Sequence, residues 1–246
     1  MIGVAPVVPP EPVAGPALTV AMHMSDGLVN APTAAVFGLV AAIGLAIAAS
    51  RARADLDERT APMAGLVTAF VFAVQMINFP ILPGASGHLL GGALVAILVG
   101  PWVGSLCIAI VLVVQALLFA DGGLTALGTN ITNIALVGVF TGYGVAYALR
   151  RVAARSRRGL VATAFVAALV NTVAAALAFV AEYAIGGSGG AGLGTVFALM
   201  LGLHALVGIG EGIITAATVG AVASTRPDLV HLLRGVRPTV TEEVAR

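Results

Sequence analysis

The stretch His88-Leu-Leu-Gly-Gly-Ala-Leu-Val-Ala-Ile-Leu-Val-Gly-Pro101 decides how the whole chain is threaded. It is apolar after its histidine, yet shorter than the roughly 20 residues a helix needs to cross a bilayer. It begins just after Pro80 and Pro83 and stops before Pro101. Such a short helix is tolerated at membrane depth where protein covers its ends. Apolar segments of spanning length lie around it, over 32–50, 63–80, 102–120, 131–149, 159–183 and 195–223. The chain is 59% apolar and 9% charged, with a mean hydropathy of +1.07. A soluble domain carries about 25% charged residues. These features predict one integral membrane domain.

Charge placement settles whether 88–100 is counted as a crossing. All twelve basic residues are arginines, and they fall into three groups: 51–59, 150–158 and 226–246. Cytoplasmic loops carry the arginine excess. If 88–100 crosses, the chain passes seven times and all three groups lie inside. If it does not, the second group lands on the opposite side from the first. The expected fold is therefore an all-α bundle of about seven transmembrane helices, N-terminus outside and C-terminus cytoplasmic. The Gly-rich connections 81–87, 121–130 and 186–194 then lie outside, with His23 and His88 near the same face. Gly38, Ala42 and Ala46, Gly138 with Gly142, and Gly208 with Gly212 have the four-residue spacing that lets helices approach closely in lipid.

Residues 1–21 contain five prolines and no basic residue. They lack the positive start and clean apolar core of a secretory signal. The expected organisation is an extension at 1–21, a transmembrane domain over 22–224 and a cytoplasmic tail over 225–246. The extension reads first as a misassigned start, with Met22 the true initiator. A removed leader ending at Thr19-Val20-Ala21 comes second, and a retained Pro-rich tail third.

Polar residues are few, so each carries weight. Two of the four histidines sit in Met22-His23-Met24-Ser25-Asp26-Gly27 and Ser86-Gly87-His88. If Met22 begins the mature chain, its amine, the His23 amide nitrogen and the His23 imidazole can chelate one divalent ion, with His88 supplying a further nitrogen. N-rich tetragonal donor sets suit late first-row metals such as Ni(II), with Co(II) a plausible guest. Binding then releases protons, because all these donors must be deprotonated. Ser25 and Asp26 are candidates for holding the segment or supporting the ligands. Gln75, Asn78 and Ser86 are candidates for orienting the His88 ring. His204 and Glu211 lie nearly two turns apart on one helix face. They read as supports for the site or as a buried hydrogen-bonded pair. Asp121 and Glu182 lie at the outer rim and read first as solvated loop charges, second as groups that attract cations, and Asn130, Asn133 and Asn171 read as bridges between helices. Cys107, the lone cysteine, reads as a small core residue, and His231 is given no role.

There is no Gly-x-x-x-x-Gly-Lys-Ser/Thr phosphate loop, since the chain has no lysine, and no His-Glu-x-x-His motif. Neither ATP hydrolysis nor any other enzymatic reaction is indicated. A net charge of +1 gives no nucleic-acid footprint.

Met22-His-Met-Ser-Asp-Gly27 resembles the Met-His-Ile-Pro-Asp-Gly start of the CbiM/NikM proteins. Gln75-Met-Ile-Asn-Phe-Pro80, Ser86-Gly-His-Leu-Leu-Gly-Gly92, Gln115-Ala-Leu-Leu-Phe-Ala-Asp-Gly-Gly123 and Gly208-Ile-Gly-Glu-Gly212 look like that family's stretches, in its order. The similarity runs from Met22 to about Ser224. The family comprises the substrate-binding membrane (S) components of cobalt and nickel energy-coupling-factor (ECF) transporters. The resemblance implies a Co2+ or Ni2+ cargo, no intrinsic cofactor, and Met22, His23 and His88 as ligands. It also implies a transmembrane coupling (T) protein, cytosolic ABC ATPases and a small extra membrane subunit as partners in a prokaryotic plasma membrane. The sequence departs from the family pattern at Met24 and Ser25, which replace Ile-Pro, and in its N-terminal extension. A vitamin-binding S component, a stand-alone secondary metal transporter and a ligand-free structural subunit are the alternative readings.

Overall fold

The computed structural model describes residues 23–77, 79–82 and 85–235. It is an α-helical bundle. Helix α1 (Ala31–Asp55) is started by Asn30, whose side chain accepts the Thr33 N–H. Helix α2 (Thr60–Gln75) is started by Asp57, whose carboxylate accepts the N–H groups of Arg59 and Thr60. Such side-chain oxygens satisfy donors that the first helical turn leaves unpaired. A small antiparallel hairpin follows, β1 (Phe79–Leu82) with β2 (Ala85–Gly87), pairing Phe79 with Gly87 and Pro80 with Ser86. Then come α3 (Gly92–Val99), α4 (Pro101–Leu118), α5 (Leu127–Ala148), the short turn α6 (Arg150–Ala153), α7 (Arg157–Gly186) and α8 (Leu193–Thr225).

Five of these helices are long and apolar enough to cross a membrane: α1, α4, α5, α7 and α8. Helix α2 is apolar but shorter, because its expected span over 63–80 gives way to the hairpin. The deciding segment is shorter still. Helix α3 has eight residues, every one buried, and rises only about 12 Å. Left-handed glycines bound it, Gly91 at φ 78° and Gly100 at φ 88°. A Cβ on Gly91 would press into Val71, and one on Gly100 into the His231 ring. The segment lies in the bundle interior, with His88 beside His23 toward one end and Gly100 beside His231 toward the other. It is a short helix enclosed by protein, not a lipid-facing span.

That threading brings the arginines together. At the His231 end, Arg59 and Arg226 lie 3.7 and 2.9 Å from Asp228, and Arg234 lies 3.8 Å from Asp57 and donates to the Thr60 hydroxyl. Arg150 stacks over Tyr147, one turn from Tyr143, whose ring meets His231. The three clusters therefore share one end of the bundle among the described residues. The outer surface is apolar, as lipid contact demands, with Leu39, Leu66, Ile110 and Ile213 all exposed. Inside, small residues permit close approach. Gly128 of α5 sits on the Gly38 backbone of α1, Gly142 of α5 on Ala93, and Gly208 and Gly212 of α8 on Leu169 and Phe165 of α7.

Candidate metal centre

The opposite end gathers the arm 23–30, the loop 119–126 and the loop 187–192. The arm is pinned at several points. Asn30 N–H donates to the Gly186 carbonyl at 2.7 Å, and Ser188 returns two bonds, from its N–H to Leu28 and from its hydroxyl to Gly27. Asp26 accepts both the N–H and the hydroxyl of Thr125. These bonds hold its carboxyl below its ordinary value. Asn130 grips Met24 from both sides: its Oδ1 accepts the Met24 N–H at 2.7 Å and its Nδ2 donates to the Met24 carbonyl at 3.0 Å. The Gly123 N–H donates to the same carbonyl. Any side chain at Gly123 would run into the Asp26 backbone, and Gly122 before it holds a positive φ of 83°.

This clamping drives His23 inward until it is 2% exposed. Its ring lies 4.6 Å from that of His88, centroid to centroid, at 45°. His88 is equally buried. Its Nδ1–H donates to the Leu89 carbonyl at 2.9 Å, which assigns the lone pair to Nε2 because a carbonyl can only accept. The Nδ1 of His23 lies 3.1 Å from Asp121 Oδ1 and donates to it. That hydrogen bond is the main cause that holds the Asp121 carboxyl below its usual value. Both Nε2 atoms are buried with no hydrogen-bond partner among the described residues. A buried ring nitrogen without a partner is costly. Metal-binding histidines typically donate their other ring N–H to a carboxylate or a backbone carbonyl, and His23 and His88 show one of each.

Below His88 the main chain is fixed by remote side chains. Leu90 and Gly91 N–H groups donate to the two oxygens of Glu211 at 2.9 and 3.0 Å, while Gln75 Nε2 donates to the Leu90 carbonyl at 2.7 Å. Asn171 and Thr172 of α7 complete the set of donors around Glu211. Glu211 thus supports the loop that carries His88 and is not the partner of His204, whose Nδ1–H donates to Met200. The His88 ring is oriented by the Leu89 carbonyl, and Gln75 binds the Leu90 carbonyl instead of the ring. Met22, Asn78 and the side chain of Ser86 lie outside the described residues. Among the described residues no three His, Cys, Asp or Glu side chains converge as a metal-holding group.

Two rim assignments are corrected. Asp121 orients His23, and Glu182 is 1% exposed, accepting from Asn133 at 2.7 Å within the π-helical stretch Ile131–Gly138. Asn133 and Asn171 bridge helices as expected, whereas Asn130 holds the arm. The signal for Asp121 lay in the stretch Gln115–Gly123. Nothing local marked Asn130.

Residues 23–229 match the CbiM family, described as a cobalt uptake substrate-specific transmembrane region. The putative fused nickel transport protein NikMN of Archaeoglobus fulgidus is 41% identical over 210 residues, covering 85% of this chain and 68% of that one. The cobalt transport protein CbiM of Sorangium cellulosum is 30% identical over 223 residues, 88% of this chain and 97% of its own. A crystal structure of a transition metal transporter superposes with a TM-score of 0.76 at 29% identity, covering 87% of this chain and all of that one.

Proposed function

The chain belongs to the CbiM family, and from that premise we propose that it captures Co2+ or Ni2+ at the outer face as the substrate-specific membrane component of an ATP-driven ECF transporter. The observation that carries this reading is the pair of buried imidazoles in ring contact at one end of the bundle, His88 with a bare Nε2 and His23 with its Nδ1 turned toward Asp121. Two rings do not complete a cage, and the remaining donors come from the main chain: the Met22 amine and the His23 amide nitrogen. Such a cage requires the Met22 nitrogen to be a free amine, with residues 1–21 not attached to it.

The arginine-rich end faces the cytoplasm of a prokaryotic cell, consistent with the positive-inside rule. No phosphate loop exists in the chain, so ATP hydrolysis resides in separate ABC subunits, coupled through a T protein. Relatives named as fused NikMN proteins are longer than this chain, which supports a further small membrane subunit here.

Titration of the purified chain with Ni2+ and Co2+, together with X-ray absorption spectroscopy, tests the proposal. The wild type should show nitrogen-dominated coordination, and His88→Ala should lose metal accumulation while still inserting in the membrane. Normal uptake by that variant, or a purely oxygen coordination shell, would sink the assignment.

A further inference from the structure

At the arginine-rich end, a cavity of about 820 Å³ opens between the start of α7 and the end of α8, lined by Ser156, Arg157, Arg158, Val161, Ala217 and Gly220. It exists because α8 presents only small residues there, so α7 and α8 cannot fill the space with side chains. Arg157 is fixed at its edge, its Nε–H donating to the Gly220 carbonyl.

The charge in this cavity is uncompensated. The carboxylates at this end that form ion pairs, Asp57 and Asp228, pair with Arg59, Arg226 and Arg234. Among the described residues none lies within 4.0 Å of Arg157 or Arg158. Both arginines are exposed, and a planar guanidinium matches a phosphate with two parallel N–H bonds. The surroundings toward the bundle centre are lipid-facing. Ile213 lies one turn along α8 from Ala217, and Val166 lies two turns along α7 from Arg158; both are exposed. A cationic cavity at one margin of the hydrophobic band therefore continues directly into an apolar surface.

We propose that this cavity is a binding site for the headgroup phosphate of an anionic phospholipid, with its acyl chains lying along Val166 and Ile213. Basic pockets between transmembrane helices on the cytoplasmic side recognise such headgroups, each surface arginine contributing enough to matter over neutral lipid. The site is separate from the histidine pair at the other end, so its failure would leave the metal reading untouched.

The test uses the full chain in nanodiscs and in detergent, with phosphatidylglycerol and phosphatidylcholine as probes and native mass spectrometry as readout. The wild type should retain phosphatidylglycerol preferentially. The double variant Arg157→Gln/Arg158→Gln should weaken that retention by about tenfold or more, given the contribution of each charge near a membrane surface. Ala217→Trp, which fills the cavity and keeps every arginine, should do the same. Phosphatidylcholine retention should not change in either variant. Equal retention of both lipids by the wild type, unaltered retention in both variants, or displacement by inorganic phosphate at matched concentration would overturn the lipid assignment. Selective capture of an acidic peptide instead of phosphatidylglycerol would overturn it in favour of a protein partner.

Discussion

The carboxylate of Glu211 on α8 accepts the backbone N–H of Leu90, a residue 121 positions earlier in the chain and two after His88. This bond sets the depth of the loop that carries His88. The same carboxylate takes the Gly91 N–H, the Asn171 amide and the Thr172 hydroxyl, so α7, α8 and the His88 loop meet on one group. An ionised carboxylate has about four lone-pair sites, which matches this demand. Glu211→Ala should lower stability by about 3 kcal/mol or more, because buried donors lose their acceptor. Glu211→Gln should cost less, about 1–3 kcal/mol, since one end of the amide still accepts. Thermal unfolding in detergent reads the stability. Nickel titration of the folded fraction should show weakened binding in the Gln variant. Unchanged affinity in that folded fraction would mean that His88 needs no support from α8.

Asn130 performs the corresponding task for His23. Its amide pairs with both the N–H and the carbonyl of Met24, the residue next to His23. Asn130→Ala removes both bonds and leaves the Met24 N–H without its acceptor. The arm should then detach in part, at a cost of about 1–3 kcal/mol. Hydrogen exchange at the Met24 amide should accelerate while exchange in α7 stays slow. Equal acceleration in both places would show a global loss of stability instead of a local release of the arm.

The sequence exposed the helices well and the tertiary polar contacts poorly, for one physical reason. Hydropathy is local, so 102–120, 131–149, 159–183 and 195–223 map onto α4, α5, α7 and α8. The arginine clusters predicted seven passes; five helices have spanning length, and the clusters share one end of the bundle among the described residues. The eight-residue length of α3 was foreshadowed by the glycines and prolines around it. Histidine scarcity pointed to His23 and His88, which the fold brings into ring contact. The groups that aim them were hidden. Asp121 and Asn130 are separated in sequence by 98 and 106 positions from the arm residues they bind. A carboxylate at a loop start looks solvated unless its distant partner is known. Glu182 was misread similarly, because its burial depends on Asn133 of another helix.

Asp26 gives the arm a pH dependence whose sign is fixed. The Thr125 hydroxyl and N–H hold its carboxyl below the ordinary value of 3.8. A group depressed in the folded state contributes stability that is present above its unfolded value and lost as pH falls through the lower, folded one. The arm should therefore stay docked throughout the neutral and mildly acidic range and loosen only in strong acid, below about pH 4. Limited proteolysis near residue 27 across a pH series checks this. Thr125→Val, which keeps the N–H donor but removes the hydroxyl, should move the loosening to higher pH. Release of the arm near pH 6 in the wild type would assign control to a histidine instead.

The proposed chelate predicts a change in the bonding of His23. A small chelate ring that includes the His23 amide nitrogen can close only through Nδ1, the ring atom adjacent to the side chain's attachment, because Nε2 is too far from the main chain. In the structure that Nδ1 donates to Asp121. On that chelate the metal would take the place of the Nδ1 proton and release Asp121, whose side chain is 26% exposed, to the loop. His88 needs no such exchange, since its Nε2 is already bare and its Nδ1–H stays on Leu89. With ring-labelled histidine, diamagnetic square-planar Ni(II) should shift Nδ1 of His23 and Nε2 of His88 and leave Nδ1 of His88 protonated. The chelate also requires a free Met22 amine, so a chain carrying residues 1–21 should bind metal much more weakly than one that begins at Met22. If both rings bind through Nε2 and the longer chain binds equally well, the amide and amine take no part, and the site is a two-imidazole centre oriented by Asp121.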